Sequence, residues 1–140
     1  MYKRQVPTMV QLDNFESYAA AGEAKFPAYA KHIRALYDTR IERFAAAYEA
    51  GVPIFAGTDA GGFLPHGLIG REMAALAAFC PAEYALGAGS WRARAWLRRP
   101  DILADGMPAD LVAFDADPRS DLAVLEHPSL VVLRGRIVGR

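Results

Sequence analysis

The residue best suited to chemistry is Asp59, which lies in a glycine-rich turn, residues 57–62, directly after the short apolar stretch 52–56. Active sites of α/β barrels are built at the carboxyl ends of their strands, and glycines let a backbone take positive φ close to a ligand. A carboxylate placed there could bind a divalent metal and take a proton from metal-bound water. The alternative is an aspartate that only forms a turn or caps a helix.

His66 is the second candidate, because it follows Asp59 closely and stands near the start of a predicted helix. It could face a substrate or a metal from the loop. The simpler interpretation is a histidine that is exposed to solvent or bonded to the backbone, since one histidine alone indicates little. His32 and His127 are expected to be surface residues.

The apolar pattern around the turn predicts alternating strands and helices. Residues 6–10 predict a strand that feeds a helix beginning near residues 13–14. From Pro27 to residue 48, apolar side chains recur every three or four positions, which predicts an amphipathic helix ending at Gly51. Residues 52–56 predict a buried parallel strand. A further amphipathic helix is predicted over 68–79, so the order is strand, helix, strand, helix, the unit of an α/β fold.

The remaining third of the chain changes in character. A helix is predicted to begin at residues 80–83, with Pro81 in its first turn. After Pro100 the pattern indicates short β segments, with a boundary near residues 99–106. The predicted strands are 111–114, 130–133 and 137–138, with a tight turn at Arg134-Gly135 between the last two.

Composition restricts the classes of partner. The 140 residues are 53% hydrophobic and 23% charged, as in a globular protein, and 16 basic residues balance 16 acidic ones. Because the formal net charge is zero, neither nucleic acid nor an anionic membrane is an expected partner. The single Cys80 cannot form an intramolecular disulfide and is expected to be a buried, inert thiol. No window has the apolar length that spans a bilayer, so we expect a cytoplasmic protein.

Residues 51–61 resemble the last barrel strand of the metal-dependent amidohydrolase superfamily, in particular its imidazolonepropionase-like and Xaa-Pro dipeptidase-like branch. Other segments agree in order and spacing, so the resemblance runs from about residue 6 to residue 138. These segments are Val6-Pro7-Thr8, His66-Gly67 with Arg71-Glu72, residues 81–86, residues 106–112, Asp115, Asp117-Pro118 and Arg134-Gly135.

The resemblance implies an α/β fold: the C-terminal part of a TIM-barrel-like metal-dependent hydrolase, about its last two strands and helices, over residues 1–99. Residues 100–140 would supply strands of a small β-sandwich domain. Asp59 would be a metal ligand and the catalytic acid/base. The cofactor would be a divalent metal, zinc, and the reaction would be hydrolysis of a C–N bond in a small molecule or dipeptide by metal-activated water.

The chain departs from that family in its other metal ligands. The family also uses an HxH pair, a mid-barrel lysine and two further histidines, and none of these positions exists here. A complete barrel needs roughly 250 residues. We therefore expect a chain that is inactive alone and that works with a missing N-terminal part. The alternatives are a non-catalytic half-barrel that assembles with another chain, such as a second copy in a homo-oligomer, and a small independent α/β binding domain.

Overall fold

The structure is a computed structural model that describes residues 3–100 and 102–139. Over these residues it is an α/β arrangement in which helices precede a small antiparallel sheet. The helices are α1 (Met9–Leu12), α2 (Phe15–Gly22), α3 (Pro27–Asp38), α4 (Arg40–Glu49), α5 (Ile69–Leu76), α6 (Ala82–Ala88) and α7 (Trp91–Trp96), and the strands are β1 (Leu111–Ala113), β2 (Leu130–Leu133) and β3 (Arg136–Gly139), with a 3₁₀ helix at Leu122–Glu126.

The long helix predicted from Pro27 exists, but it is broken into α3 and α4 at Thr39. Pro27 occupies the first turn as predicted. The hydroxyl of Thr39 donates a hydrogen bond to the carbonyl of Ala35 at 2.9 Å, and such back-bonding competes with the helical ladder and bends helices. The predicted end is confirmed, because α4 stops just before Gly51, which has a φ of 74°.

The strand predicted over residues 6–10 is wrong, because residues 9–12 form α1. Strand character survives only at Gln5, which pairs in parallel with Ile54 as an isolated bridge. The N–H of Gln5 donates to the carbonyl of Pro53 at 2.9 Å, and the N–H of Phe55 donates to the carbonyl of Gln5 at 3.0 Å. The strand predicted over 52–56 is likewise reduced to this bridge. Beyond it, the N–H of Ala56 donates to Ala88 at the end of α6 instead of to a strand.

The main core lies where α1, α5 and α6 meet the bridged segment. Ile54 and Leu76 are fully buried there, and the backbone N–H of Ile54 donates to the hydroxyl of Tyr84 at 3.2 Å. Cys80 is buried in the same cluster, and its burial raises the pKa of the thiol. A raised pKa disfavours the nucleophilic thiolate, which agrees with the inert thiol predicted from the sequence.

The predicted β segments form a three-stranded antiparallel sheet in the order β1-β2-β3. The tight turn between β2 and β3 is confirmed, since Arg134 and Gly135 have φ values of 51° and 74°. Two successive positive φ angles are typical of the turn that matches strand twist in a hairpin. The N–H of Arg134 also donates to the carboxylate of Asp110 at 2.7 Å. Among residues 3–100 and 102–139, no helix combines the length and hydropathy needed to cross a bilayer.

Candidate active site

Asp59 lies on an exposed turn that leaves the buried pair Ile54 and Phe55. Its φ is 52°, a left-handed conformation that is uncommon for any residue with a side chain, although aspartate adopts it more readily than most. Gly61 has a φ of 111°, and its N–H donates to the carbonyl of Leu64 at 3.0 Å, which closes the turn. The glycine requirement predicted for this segment is therefore real at Gly61.

His66 returns to the same turn. A Cβ atom added to Gly61 would lie 3.4 Å from Cε1 and 3.7 Å from Nε2 of the His66 ring. Because Gly61 follows Asp59 by two positions, the fold brings His66 to the turn that carries Asp59. His66 itself is exposed. His32 on α3 and His127 after the 3₁₀ helix are exposed as predicted, and they lie on other elements.

The turn does not make a metal site by itself. Within residues 3–100 and 102–139 there is no group of three or more His, Cys, Asp or Glu side chains arranged to hold a metal ion. Catalytic zinc sites use three protein ligands and an open position. Asp59 supplies one carboxylate, so a divalent metal does not fit the residues that this part of the chain provides.

Glu72 is the residue that sequence reasoning missed. Its side chain is fully buried, and its two carboxylate oxygens accept hydrogen bonds from the backbone N–H groups of Met9, at 2.8 Å, and Val10, at 2.9 Å. Burial raises its pKa, the two backbone hydrogen bonds oppose that shift, and the charge of Asp13 adds to it. Its spacing could have indicated burial, because Glu72 stands three residues after Ile69 and four before Leu76, on the apolar face of α5.

An apolar groove of about 1060 Å³ lies between α5–α7 and the sheet. Met73, Leu86 and Trp91 line it from the helices, and Phe114 and Val131 line it from the β region. The guanidinium of Arg94 lies 3.7 Å from the carboxylate of Asp110 at this groove. A surface of this kind is typical of a contact with further polypeptide.

No protein-family model matches the chain. An uncharacterized protein of Mycobacterium tuberculosis is 50% identical over 135 residues, which are 96% of this chain and 36% of that protein. An uncharacterized protein of Mycobacterium bovis matches with the same values. The chain therefore spans about a third of the length of these relatives.

Solved structures give the more informative match. A Xaa-Pro dipeptidase with bound methionine superposes with a TM-score of 0.78 at 26% identity, over 96% of this chain and 34% of that chain. A provisionally named prolidase from Bifidobacterium longum is 34% identical, with a TM-score of 0.68, over 80% of this chain and 29% of that chain. The chain is thus similar in structure to about a third of the length of prolidase-like proteins of the amidohydrolase type. The resemblance inferred from residues 51–61 is thereby confirmed.

The chain also matches a structure of A. niger ochratoxinase, with a TM-score of 0.70 at 24% identity over 94% of this chain and 31% of that chain. At that identity the match shows the shared fold alone. The fold of the chain thus recurs in these structures, while each of them extends well beyond the region that the chain matches. A closed barrel and a two-sheet sandwich are not formed by the described residues themselves.

Proposed function

We propose that the chain carries the catalytic acid/base of a hydrolase that cleaves C–N bonds in an amide, a peptide or a cyclic amide. One observation carries the proposal. Asp59 lies exposed and left-handed at the end of a buried, parallel-bridged segment, in a chain that superposes over 96% of its length on a Xaa-Pro dipeptidase. This is the position at which α/β barrels place catalytic groups.

The role of Asp59 is to move a proton. Its carboxylate accepts a proton from the attacking water and passes it to the leaving nitrogen, as a positioned general base and then acid does. The exposed turn gives a substrate access to the carboxylate. His66, whose ring lies against Gly61, is proposed to contact the substrate beside it.

Metal dependence is the second part of the proposal. In the intact parent protein Asp59 would also be a ligand of a divalent metal, zinc. No three candidate ligands come together within the described residues, so further ligands must come from outside them. The 140-residue chain alone is therefore proposed to be inactive, and the dipeptide or small-molecule substrate belongs to the complete protein.

A hybrid protein tests the role of Asp59. This chain replaces the matching 135 residues of the Mycobacterium tuberculosis relative, and hydrolysis is measured on Xaa-Pro dipeptides, N-acyl amino acids and cyclic amides with added zinc. Asp59→Asn should lower kcat/KM by about 100-fold or more, the usual contribution of an acid/base. Asp105→Asn, at an exposed aspartate outside the turn, is the matched control. A folded Asp59→Asn hybrid with undiminished activity would overturn the assignment.

The purified 140-residue chain tests the incompleteness of the site. With added zinc it should release no product from the same substrates, because one carboxylate holds a catalytic metal poorly. Turnover by this chain that disappears in Asp59→Ala would contradict the proposal, and it would show that the chain contains a sufficient site.

The apolar groove favours a second candidate, a non-catalytic half-barrel that assembles with another chain. A stable dimer of the purified chain that binds no metal would support this candidate. A chain that aggregates alone, but restores activity when it is combined with the N-terminal part of a relative, would support the hydrolase instead.

A further inference from the structure

The carboxylate of Glu72 accepts hydrogen bonds from the backbone at one specific turn. The two N–H groups that it accepts, those of Met9 and Val10, belong to the residues directly after Thr8. Thr8 has a φ of 53°, which is a genuine outlier for a β-branched residue. Such a conformation persists only where the surroundings over-determine it, and the buried oxygens of Glu72 supply that constraint.

The segment that leads to Thr8 lies beside the segment that leads to Asp59. Gln5 is bonded through its backbone to both Pro53 and Phe55, so the two segments run parallel at that point. Further along the two segments the packing stays close, because a Cβ atom added to Gly57 would lie 2.6 Å from Cγ1 of Val6. The two segments then end in left-handed residues that are not glycine, Thr8 on one and Asp59 on the other.

We propose that Glu72 is a positioning residue for Asp59. Its carboxylate fixes the amides of Met9 and Val10, which sets the turn at Thr8, and the Val6 side chain transmits that position to the backbone at Gly57. Any effect of Glu72 on catalysis rests on the proposed function of Asp59. The mechanical coupling between the two turns does not depend on it.

The test uses nuclear magnetic resonance of the isotopically labelled 140-residue chain. In Glu72→Gln one acceptor oxygen is replaced by a donor, so the Met9 and Val10 amides should exchange with solvent about 10-fold faster or more, as expected for a lost buried hydrogen bond. The backbone amide resonances of Gly57, Asp59 and Gly61 should shift as well. Glu42→Gln, at an exposed glutamate of α4, should change none of these signals.

A stability-matched control separates positioning from general weakening. Ala30→Gly removes a buried methyl group from α3 and should lower the unfolding temperature, as glycine in a helix interior does, while the Asp59 and Gly61 amides stay in place. If Ala30→Gly moves those amides as much as Glu72→Gln does, the proposal is overturned. It is also overturned if Glu72→Gln exposes the Met9 and Val10 amides but leaves Asp59 and Gly61 unmoved, since Glu72 would then be merely structural.

Val6→Ala provides a route if Glu72→Gln does not fold. Val6 is exposed, so truncation should preserve the fold, and it removes the side chain that meets Gly57. The Asp59 and Gly61 amides should shift while the Met9 and Val10 amides stay protected, and invariance of Asp59 and Gly61 would refute the coupling. Neither measurement involves hydrolysis, so failure of the coupling and failure of the proposed function give different results.

Discussion

Asp59 and Glu72 are two carboxylates of one structural unit, and their surroundings differ in every respect. Asp59 is exposed on a turn whose φ of 52° is unfavourable for its side chain. Glu72 is fully buried, and both of its oxygens accept backbone hydrogen bonds. An exposed carboxylate on a strained backbone is available for chemistry, whereas a buried and bonded one fixes other groups. The same functional group is thus exposed and free of the core at Asp59, where we propose a catalytic role, and built into the scaffold at Glu72.

The largest expected effect that sharpens this contrast comes from Glu72→Leu. Two buried N–H donors would lose their partner, and each unsatisfied donor costs about 1–3 kcal/mol. Relief of the buried charge offsets part of that loss, so the free energy of unfolding should fall by about 3 kcal/mol. Urea unfolding followed by circular dichroism measures it. Glu42→Leu, at an exposed site, should stay within about 0.5 kcal/mol, and an equal loss there would remove the contrast.

Asp59→Gly should change stability in the opposite direction. Glycine adopts a φ near 52° without the steric cost of roughly 1–2 kcal/mol that a side chain meets there, although its freedom in the unfolded chain returns part of this gain. We expect the free energy of unfolding to rise by about 0.5 kcal/mol. Asp115→Gly, at an exposed aspartate outside the left-handed region, should instead lower it slightly. A clear loss of stability in Asp59→Gly would show that Asp59 serves the scaffold.

The smallest expected effect concerns pH. Burial raises the pKa of Glu72 above its ordinary value of 4.5, so the folded state holds this proton more tightly than the unfolded state does. Between pH 4.5 and the folded pKa the folded state binds more protons, and stability therefore falls as pH rises through that window. Unfolding curves of wild type and Glu72→Gln should diverge there, with wild type losing more. Parallel curves would show that Glu72 does not titrate across the transition.

Local pattern was sufficient for the parts of the fold that are stabilised locally. The helix from Pro27, the strands β1 to β3 and the turn at Arg134-Gly135 were predicted, because periodicity, proline and glycine act within a few residues. The break at Thr39 was missed, since its hydroxyl competes with an otherwise regular helix. The strand over residues 6–10 was wrong for a nonlocal reason, because its amides are held by Glu72, which lies far away in sequence.

The candidate site divides in the same way. Asp59 could be identified from the sequence, because its residue type and its place in a glycine-rich turn after an apolar stretch are both local features. Whether other groups complete a metal site depends on contacts between distant segments, which no local pattern contains. For Glu72, the sequence showed only that Arg71-Glu72 resembles a segment of the family, and no burial was predicted. Its place among apolar residues of α5 would have identified it as a buried charge that needs a partner.

The backbone pairing of Gln5 with Pro53 and Phe55 has a practical consequence for protein production. A protease site or an affinity tag is routinely placed within the first few residues of a recombinant chain. Cleavage that removes Gln5 would remove the backbone partner of the segment that leads to Asp59. A preparation that has lost even a few N-terminal residues would therefore differ from the 140-residue chain at the Asp59 turn. A tag on a recombinant form of these 140 residues should therefore leave Gln5 and the residues before it in place, with tag removal checked by mass.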